Sequence, residues 1–423
     1  MFKQSGRISL SVYVQKGKIF MEGCIIAFDV SKGNAHYQSF LSSNKYLHKP
    51  KKIRWNKNDF ELLEKDISQL KEKSGNEKVS FVYESTGVYS LPLEKYLKDK
   101  GYDCYVISPL LSAKFRQTEL LSNKIDPLDC KNIAMVYYNR ELYKNSEEDR
   151  AYEQLRALNR HYEDQMEHIR KYKVTLRSYI DSIMPDYDEC FPKKDVYTPV
   201  AMEILRKYPH PDKITKAKES SMIKHLSKTA GHDESFTRKY VTIVKAWASN
   251  VYSGASEDDI RVSFITELVN DLEAKIDEAN STIKQLIDIA KKTPHFEQIV
   301  SIVGIGENLA SRIIAELGDM KKYKSKNQIV SYAGLDPMIR QSGKYDGDHL
   351  SISKKGNKRL RCILYLAVVC NLRQAKNDHI HNFYQKKRQQ TNPLKSKAAK
   401  IACVHKLLVI IYGLCKTQNS YEF

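Results

Sequence analysis

Two short apolar runs, each closed by a carboxylate, constrain the fold of this chain more than any other feature. Cys24-Ile25-Ile26-Ala27-Phe28 leads into Asp29, and Val79-Ser80-Phe81-Val82-Tyr83 leads into Glu84. Each run has the length and apolar content of a buried strand. Around them the pattern reads as strand, turn at Lys32-Gly33-Asn34, strand Ala35–Leu41, and a third short strand near Ile53. A helix is then expected from Asp59 to Glu72, with Leu62, Leu63, Ile67 and Leu70 on one face. After strand Val79–Tyr83 come helix Leu91–Lys100, strand Asp103–Ser108 and helices through Tyr138. Three strands in hairpin order followed by alternating helix and strand is the order of an RNase H-like α/β domain. A Rossmann-type sheet is the alternative, but no GxGxxG follows the first strand.

Charge narrows the partners. Lys321 to Lys416 carries 21 Lys and Arg against 4 Asp and Glu, so 17 of the 19 net positive charges lie there. A lysine-rich codon bias would spread that excess evenly, so its concentration marks a surface for a polyanion, with a solvated face as the bland alternative. The eight cysteines form no CxxC pair and mostly sit in apolar runs, the pattern of reduced core thiols in a cytoplasmic protein. The first twenty residues lack a signal-like apolar segment, and no uninterrupted run of eighteen apolar residues suggests a membrane span.

Two long helical patterns occupy the middle. Leu155, Leu158, Tyr162, Ile169, Tyr172, Leu176, Tyr179 and Ile183 keep spacings of three and four, interrupted at Gln165. Val262, Ile265, Val269, Leu272, Ile276, Ala279, Ile283, Leu286 and Ala290 keep them without a break. Such heptads specify either a coiled coil between subunits or two amphipathic helices packed within one chain. The expected division is an N-terminal extension over 1–22, an α/β catalytic domain over 23–145, and coiled-coil helices over 146–184 and 261–295. A proline-containing module is inserted at 185–260, and a mainly helical C-terminal domain covers 296–417.

Two constellations carry chemistry. Asp126-Pro127-Leu128-Asp129 opens a helix with two acids three residues apart, on one side of its first turn. That pair could simply cap the helix, and Asp29 and Glu84 could be ordinary strand-end acids. As a set, the four can converge at one sheet edge, where like charges repel unless a hard cation such as Mg²⁺ neutralises them. The second constellation begins with Ile302-Val303-Gly304-Ile305-Gly306, which has the form of a helix-hairpin-helix turn whose Gly304 and Gly306 let backbone approach a phosphate. A plain packing corner has the same form. Downstream, Ser342 lies in a Gly-bounded segment between Arg340 and Lys344, where it could attack phosphorus or merely hydrogen-bond a phosphate or its own turn. Lys354, Lys355, Lys358, Arg359 and Arg361 read as backbone-phosphate contacts.

The motifs AFDVSK (27–32), YESTGVY (83–89), NKIDPLDCKNIA (123–134), VGIG (303–306), YAGLDP (332–337), RQSG (340–343) and SKKGNKRLR (353–361) resemble those of a known family. They look like the DEDD transposases of bacterial insertion sequences, relatives of the Piv-type DNA invertases and of bridge-RNA-guided recombinases. The resemblance covers roughly residues 23–140 and 296–415. It implies that Asp29, Glu84, Asp126 and Asp129 are the DEDD acids of a RuvC-like domain binding Mg²⁺. It further implies that Ser342 is the nucleophile of DNA strand exchange, with Ser351 and Ser353 as neighbouring alternatives. A composite site shared between subunits of a dimer or tetramer, and a noncoding guide RNA pairing with donor and target DNA, follow from the same resemblance. The extension and the 185–260 insert depart from the pattern. The alternatives are a RuvC-like hydrolytic junction nuclease and a noncatalytic nucleic-acid-binding protein.

Overall fold

The computed structural model describes residues 12–15, 18–21, 23–84, 87–107, 112, 126–139, 147–231, 233–337, 341–342, 345–346 and 351–422. The chain divides into two compact units, Met1–Asp149 and Arg150–Phe423.

The first unit is built on a mixed sheet. Strand β1 (Val12–Gln15) and β2 (Lys18–Met21) form a separate antiparallel hairpin. The main sheet contains β3 (Cys24–Ser31), β4 (Asn34–Ser42), β5 (Lys45–Tyr46), β6 (Lys51–Arg54), β7 (Val79–Glu84) and β8 (Asp103–Ile107), in the order β5-β4-β3-β7-β8 with β6 also on β4. Helix α1 (Lys57–Ser74) crosses between β6 and β7, and α2 (Leu91–Asp99) between β7 and β8. The antiparallel β3–β4 hairpin at the centre excludes the all-parallel Rossmann alternative. Helix α1 starts two residues before its expected limit because the Asn56 side chain caps it, accepting from the Asp59 amide at 2.9 Å.

Alternation along the strands fixes two faces. Ile26, Phe28, Phe81 and Tyr83 point to the side covered by Leu63, Ile67 and Leu70 of α1 and Leu93 and Leu97 of α2. Ile25, Ala27 and Val82 point to the other side, where α3 (Asp126–Asn139) packs Ile133, Ala134 and Tyr137 on them. Both central strands are therefore buried on both faces, which explains why they read as continuous apolar runs.

The second unit is helical. It comprises α4 (Glu147–Ile183), α5 (Pro199–Lys207), α6 (Pro211–Lys216), α7 (Glu219–Thr229), α8 (Glu234–Ala248), α9 (Ile260–Ala290), α10 (Phe296–Val300), α11 (Glu307–Leu317), α12 (Lys326–Ala333), α13 (Lys358–Gln374), α14 (His379–Gln389) and α15 (Ser396–Thr417), plus a small hairpin of β9 (Gln341–Ser342) and β10 (Tyr345–Asp346). The two long helices span two cores. Leu155 of α4 and Leu286 and Ala290 of α9 join the C-terminal core. Leu176 and Ile180 of α4 and Val262, Ile265, Val269 and Leu272 of α9 join a second core with α5 to α8. The Tyr179 and Phe264 rings meet edge-on at 5.9 Å, so the helices run antiparallel.

The heptad seam is consequently consumed inside the chain. Val269 and Leu272 are fully buried within one subunit. Residues 185–260 are not a separate body, since their apolar side chains complete that same core. The interruption at Gln165 also turns inward: its side chain is buried, and its Oε1 has no hydrogen-bond partner among the described residues.

Helix α15 departs from the expected absence of a span-like segment. By length and composition alone it could cross a membrane. Its Cys403, Val404, Leu407, Leu408 and Ile411 instead form the middle of the C-terminal core. Lys397, Lys400 and Lys406 interrupt the apolar run in sequence.

Candidate functional site

The acids are ranked by strand register. Phe28 of β3 pairs with Tyr83 of β7 in parallel, so the next residues, Asp29 and Glu84, stand at the same level on adjacent strands. Alternation puts Asp29 on the side of Ile25 and Ala27, and Glu84 on the side of Val82. That is the face covered by α3. Asp129 of α3 is 7% exposed, and the neighbouring Cys130 thiol donates to the His36 carbonyl at 3.3 Å. His36 is the residue of β4 directly opposite Asp29. Three of the four acids therefore share one face and one end of the sheet. The side chain of Asp126, one turn before Cys130, lies outside the described residues.

Carboxylates of this kind, held on two adjacent strands and a covering helix, are the oxygen ligands a hard divalent cation takes. Among the described residues, no group of three or more His, Cys, Asp or Glu side chains is placed to hold a metal ion.

In the second unit, α10, a turn and α11 form the helical hairpin that the VGIG motif suggests, and its two glycines differ in role. Gly304 has φ +87°, and a Cβ there would lie 2.5 Å from the backbone N and Cα of Asn371 in α13. Its function is close helix packing, reinforced by the Asn371 amide donating to the Val303 carbonyl at 2.8 Å. This packing role is one that the VGIG motif alone does not show. Gly306 is exposed and precedes α11 with no side-chain cap, so it leaves the helix N-terminus open.

The basic turn is wedged onto the end of α12. Gly334 closes that helix in the left-handed region, with the Leu335 amide donating to Val330 O at 3.1 Å. The Asn357 amide donates to Tyr332 O at 2.8 Å, and a Cβ on Gly356 would stand 2.4 Å from that same oxygen. Asn357 also caps α13, its Oδ1 accepting from the Leu360 amide at 3.0 Å. Its amide nitrogen donates to the fully buried Glu316 at 2.7 Å, whose other oxygen accepts from Asn159 of α4 at 2.9 Å.

Five cations were expected to face phosphate, and they divide. Lys354, Lys355 and Lys358 are exposed, with no ion-pair partner among the described residues. Arg361 is spent on the turn itself, donating to Ala333 O at 2.8 Å. Arg359 donates to Glu163 of α4 at 2.8 Å. The sequence gives no sign of Glu163, Arg312 or Glu316 in this region, because their partners lie far away in the chain.

Ser342 pairs with Tyr345 across the β9–β10 hairpin. The backbone bridge between Pro337 and Ile352 closes the base of this excursion, where the Ser353 amide donates to Asp336 O at 2.7 Å. The Ser342 side chain and residues Arg340, Gly343 and Lys344 lie outside the described residues. Of the alternatives, Ser351 is exposed, while the Ser353 hydroxyl accepts from the Lys355 amide at 3.3 Å.

Known proteins resemble both regions. The DEDD transposase model of the IS110 group matches residues 26–185. The model described as the transposase IS116/IS110/IS902 family matches residues 297–385. Among curated relatives, the pilin gene-inverting protein of Moraxella bovis is 28% identical over 151 residues, covering 35% of this chain and 45% of the relative. That of Moraxella lacunata is 29% identical over 127 residues, 29% of this chain and 38% of the relative. The transposase for insertion sequence element IS1111A of Coxiella burnetii is 30% identical over 161 residues, 37% of this chain and 42% of the relative. The chain thus spans under half the length of each of these relatives. Two transposase models are thus matched in order, one over the acid-bearing sheet and one over the glycine and lysine turns, and the chain is similar in both regions to the IS116/IS110/IS902 family of transposases.

Proposed function

We propose that this protein is a cytoplasmic DNA transposase that cuts and rejoins strands of its own mobile element. In this reading the first unit is a RuvC-like domain, and Asp29, Glu84, Asp126 and Asp129 hold Mg²⁺ between them. The observation that carries it is the Phe28–Tyr83 register, which sets Asp29 and Glu84 level on the face where Asp129 is buried. When bound, the ion supplies countercharge to a phosphate under attack. The chain's own residues do the rest. Lys354, Lys355 and Lys358 hold the nucleic-acid backbone, and the open α11 N-terminus at Gly306 receives a phosphate. Ser342 is the nucleophile: its oxygen forms a bond to phosphorus, its proton is removed, and one deoxyribose oxygen leaves, so the phosphodiester is conserved as a serine ester. The strand is resealed by the reverse attack. A noncoding guide RNA that pairs with donor and target DNA, and a dimer or tetramer that brings serine and acids from different copies together, complete the proposal. Since the heptad seam is internal, such an assembly uses other surfaces.

Incubation with DNA nicked near the exchange point, followed by denaturation and mass spectrometry, tests the reading. A DNA adduct on Ser342 that is lost in Ser342→Ala is the expected result. An adduct on Ser351 or Ser353 moves the nucleophile. Cleaved ends with no adduct in any variant favour a hydrolytic junction nuclease, and no cleavage at all favours a noncatalytic binding protein.

A further inference from the structure

A cavity of about 700 Å³ opens beside the basic turn, between α4, α11 and the start of α13. Its cationic lining is Arg160, Arg312, Lys358 and Arg359, and one carboxylate, Glu163, bridges two of these. One oxygen of Glu163 accepts from Arg312 at 3.2 Å and the other from Arg359 at 2.8 Å. Asp164 and Glu167 also line the cavity, and Glu167 is already paired with Arg170 at 2.7 Å.

Arg312 is held from the protein side. Its Nε donates to the buried Asn159 at 3.2 Å, and its guanidinium lies 5.3 Å from the centre of the Tyr162 ring. Asn159 is fixed in turn by Glu316, which also fixes Asn357 at the head of the basic helix. The rim of the cavity is therefore pre-organised, and only its outward charge is neutralised by Glu163. A carboxylate with one oxygen on each of two guanidiniums reproduces the geometry and single charge of a phosphodiester's two free oxygens. Glu163 keeps 20% exposure, so an incoming phosphate can replace it on both arginines without leaving either guanidinium unpaired.

We propose that this cavity is a phosphodiester subsite and that Glu163 occupies it as an internal stand-in for nucleic-acid phosphate. Binding of a strand along Lys354, Lys355 and Lys358 swaps Glu163 out, and Arg312 and Arg359 grip the incoming phosphate. Glu163 thereby raises the threshold for loose, nonspecific binding. This subsite rests on the nucleic-acid reading above.

The test is duplex-DNA binding by the full chain, followed by fluorescence anisotropy across a salt series. Glu163→Gln is expected to bind about tenfold tighter, because two competing ion pairs are relieved. Its dependence of log affinity on log salt should steepen by about one unit for each arginine released. Arg359→Gln should bind more weakly with a slope shallower by about one unit, and the double variant should lose most of the Glu163→Gln gain. Unchanged affinity and slope in folded Glu163→Gln would overturn the subsite, reducing the trio to a helix brace. Should Glu163→Gln fail to fold, an unchanged slope in folded Arg359→Gln overturns it equally. The triple change of Lys354, Lys355 and Lys358 to Gln separates the two readings. If it weakens binding while Glu163→Gln changes nothing, nucleic-acid binding stands and the subsite fails. A wild type that binds no DNA at low salt removes both.

Discussion

Asp29 and Glu84 stand side by side on adjacent parallel strands, one residue beyond the Phe28–Tyr83 pair and on the face that α3 covers. Two carboxylates at one level of a sheet repel each other, and Asp129 on the covering helix adds a third negative charge to the same face. In the proposed reading a divalent cation offsets that repulsion.

Asp29→Asn, Glu84→Gln and Asp129→Asn are each expected to lower strand cleavage by about a thousandfold or more, the scale of losing a metal's charge stabilisation. DNA affinity and the folded state should persist, since the proposed phosphate contacts lie in the second unit. Cleavage assays beside thermal melts check this, and wild-type cleavage by two of the three variants would remove the acids from the mechanism.

The heptad seam yields a different expectation from an intersubunit coiled coil. Leu272 has 0% exposure inside one chain. Leu272→Ala should cost about 2–5 kcal/mol, from lost burial and the cavity left behind. Light scattering on the folded fraction should show the wild-type mass. A fall in mass without a fall in denaturation midpoint would place Leu272 between subunits.

The two glycines of the VGIG turn should respond oppositely. Gly304→Ala must force its Cβ against the Asn371 backbone in a left-handed conformation, and a loss of about 2–4 kcal/mol is expected. Gly306→Ala meets no atom within 4 Å and should leave stability within about 1 kcal/mol of wild type. Urea denaturation of both variants measures the difference; equal losses would contradict the packing role assigned to Gly304.

Alkaline pH should unfold the protein through its buried acids. Burial pushes the Cys403 thiol up to about 11 and Cys190 and Cys415 up to about 12, from the usual 9.0. Burial likewise raises the Tyr137 phenol to about 12. The folded state holds these protons more tightly than the unfolded state does. Their contribution is therefore whole below about pH 9 and is lost as pH rises through about 11–12. Denaturation midpoints followed from neutral to alkaline pH should be flat and then fall across that window. At neutral pH a maleimide should label exposed Cys362 well before those three thiols.

Much of the first unit was legible because its signals are local. Strands buried on both faces must be apolar throughout, so Cys24–Phe28 and Val79–Tyr83 announced themselves, and the acids that end them came with them. A second role for Arg361, bracing the turn, was not legible for a physical reason. Composition shows a cation, but the nearest acceptor is the Ala333 carbonyl, brought close by the left-handed turn at Gly334. Gly304 was legible as a glycine that mattered, while its reason was hidden in a helix 67 positions away.

By itself the sequence determined the two buried strands and the order of helix and strand that follows them, the presence of an acid at the close of each apolar run, and the placement of basic charge in the C-terminal third, because each follows from period, chain neighbours or simple count. It did not show that β3 runs on past Asp29 to Ser31 or that β1 and β2 form a hairpin in the first 22 residues. Tertiary structure alone decided what each buried face meets. Period marks Leu272 as buried without saying that α5 to α8, rather than a second subunit, cover it. Nor does any local pattern join Glu163 to Arg312, 149 positions apart, or Asn159 to Glu316, 157 apart. Those pairings exist because side chains distant in sequence must satisfy their charges and hydrogen bonds wherever the packed helices bring them together.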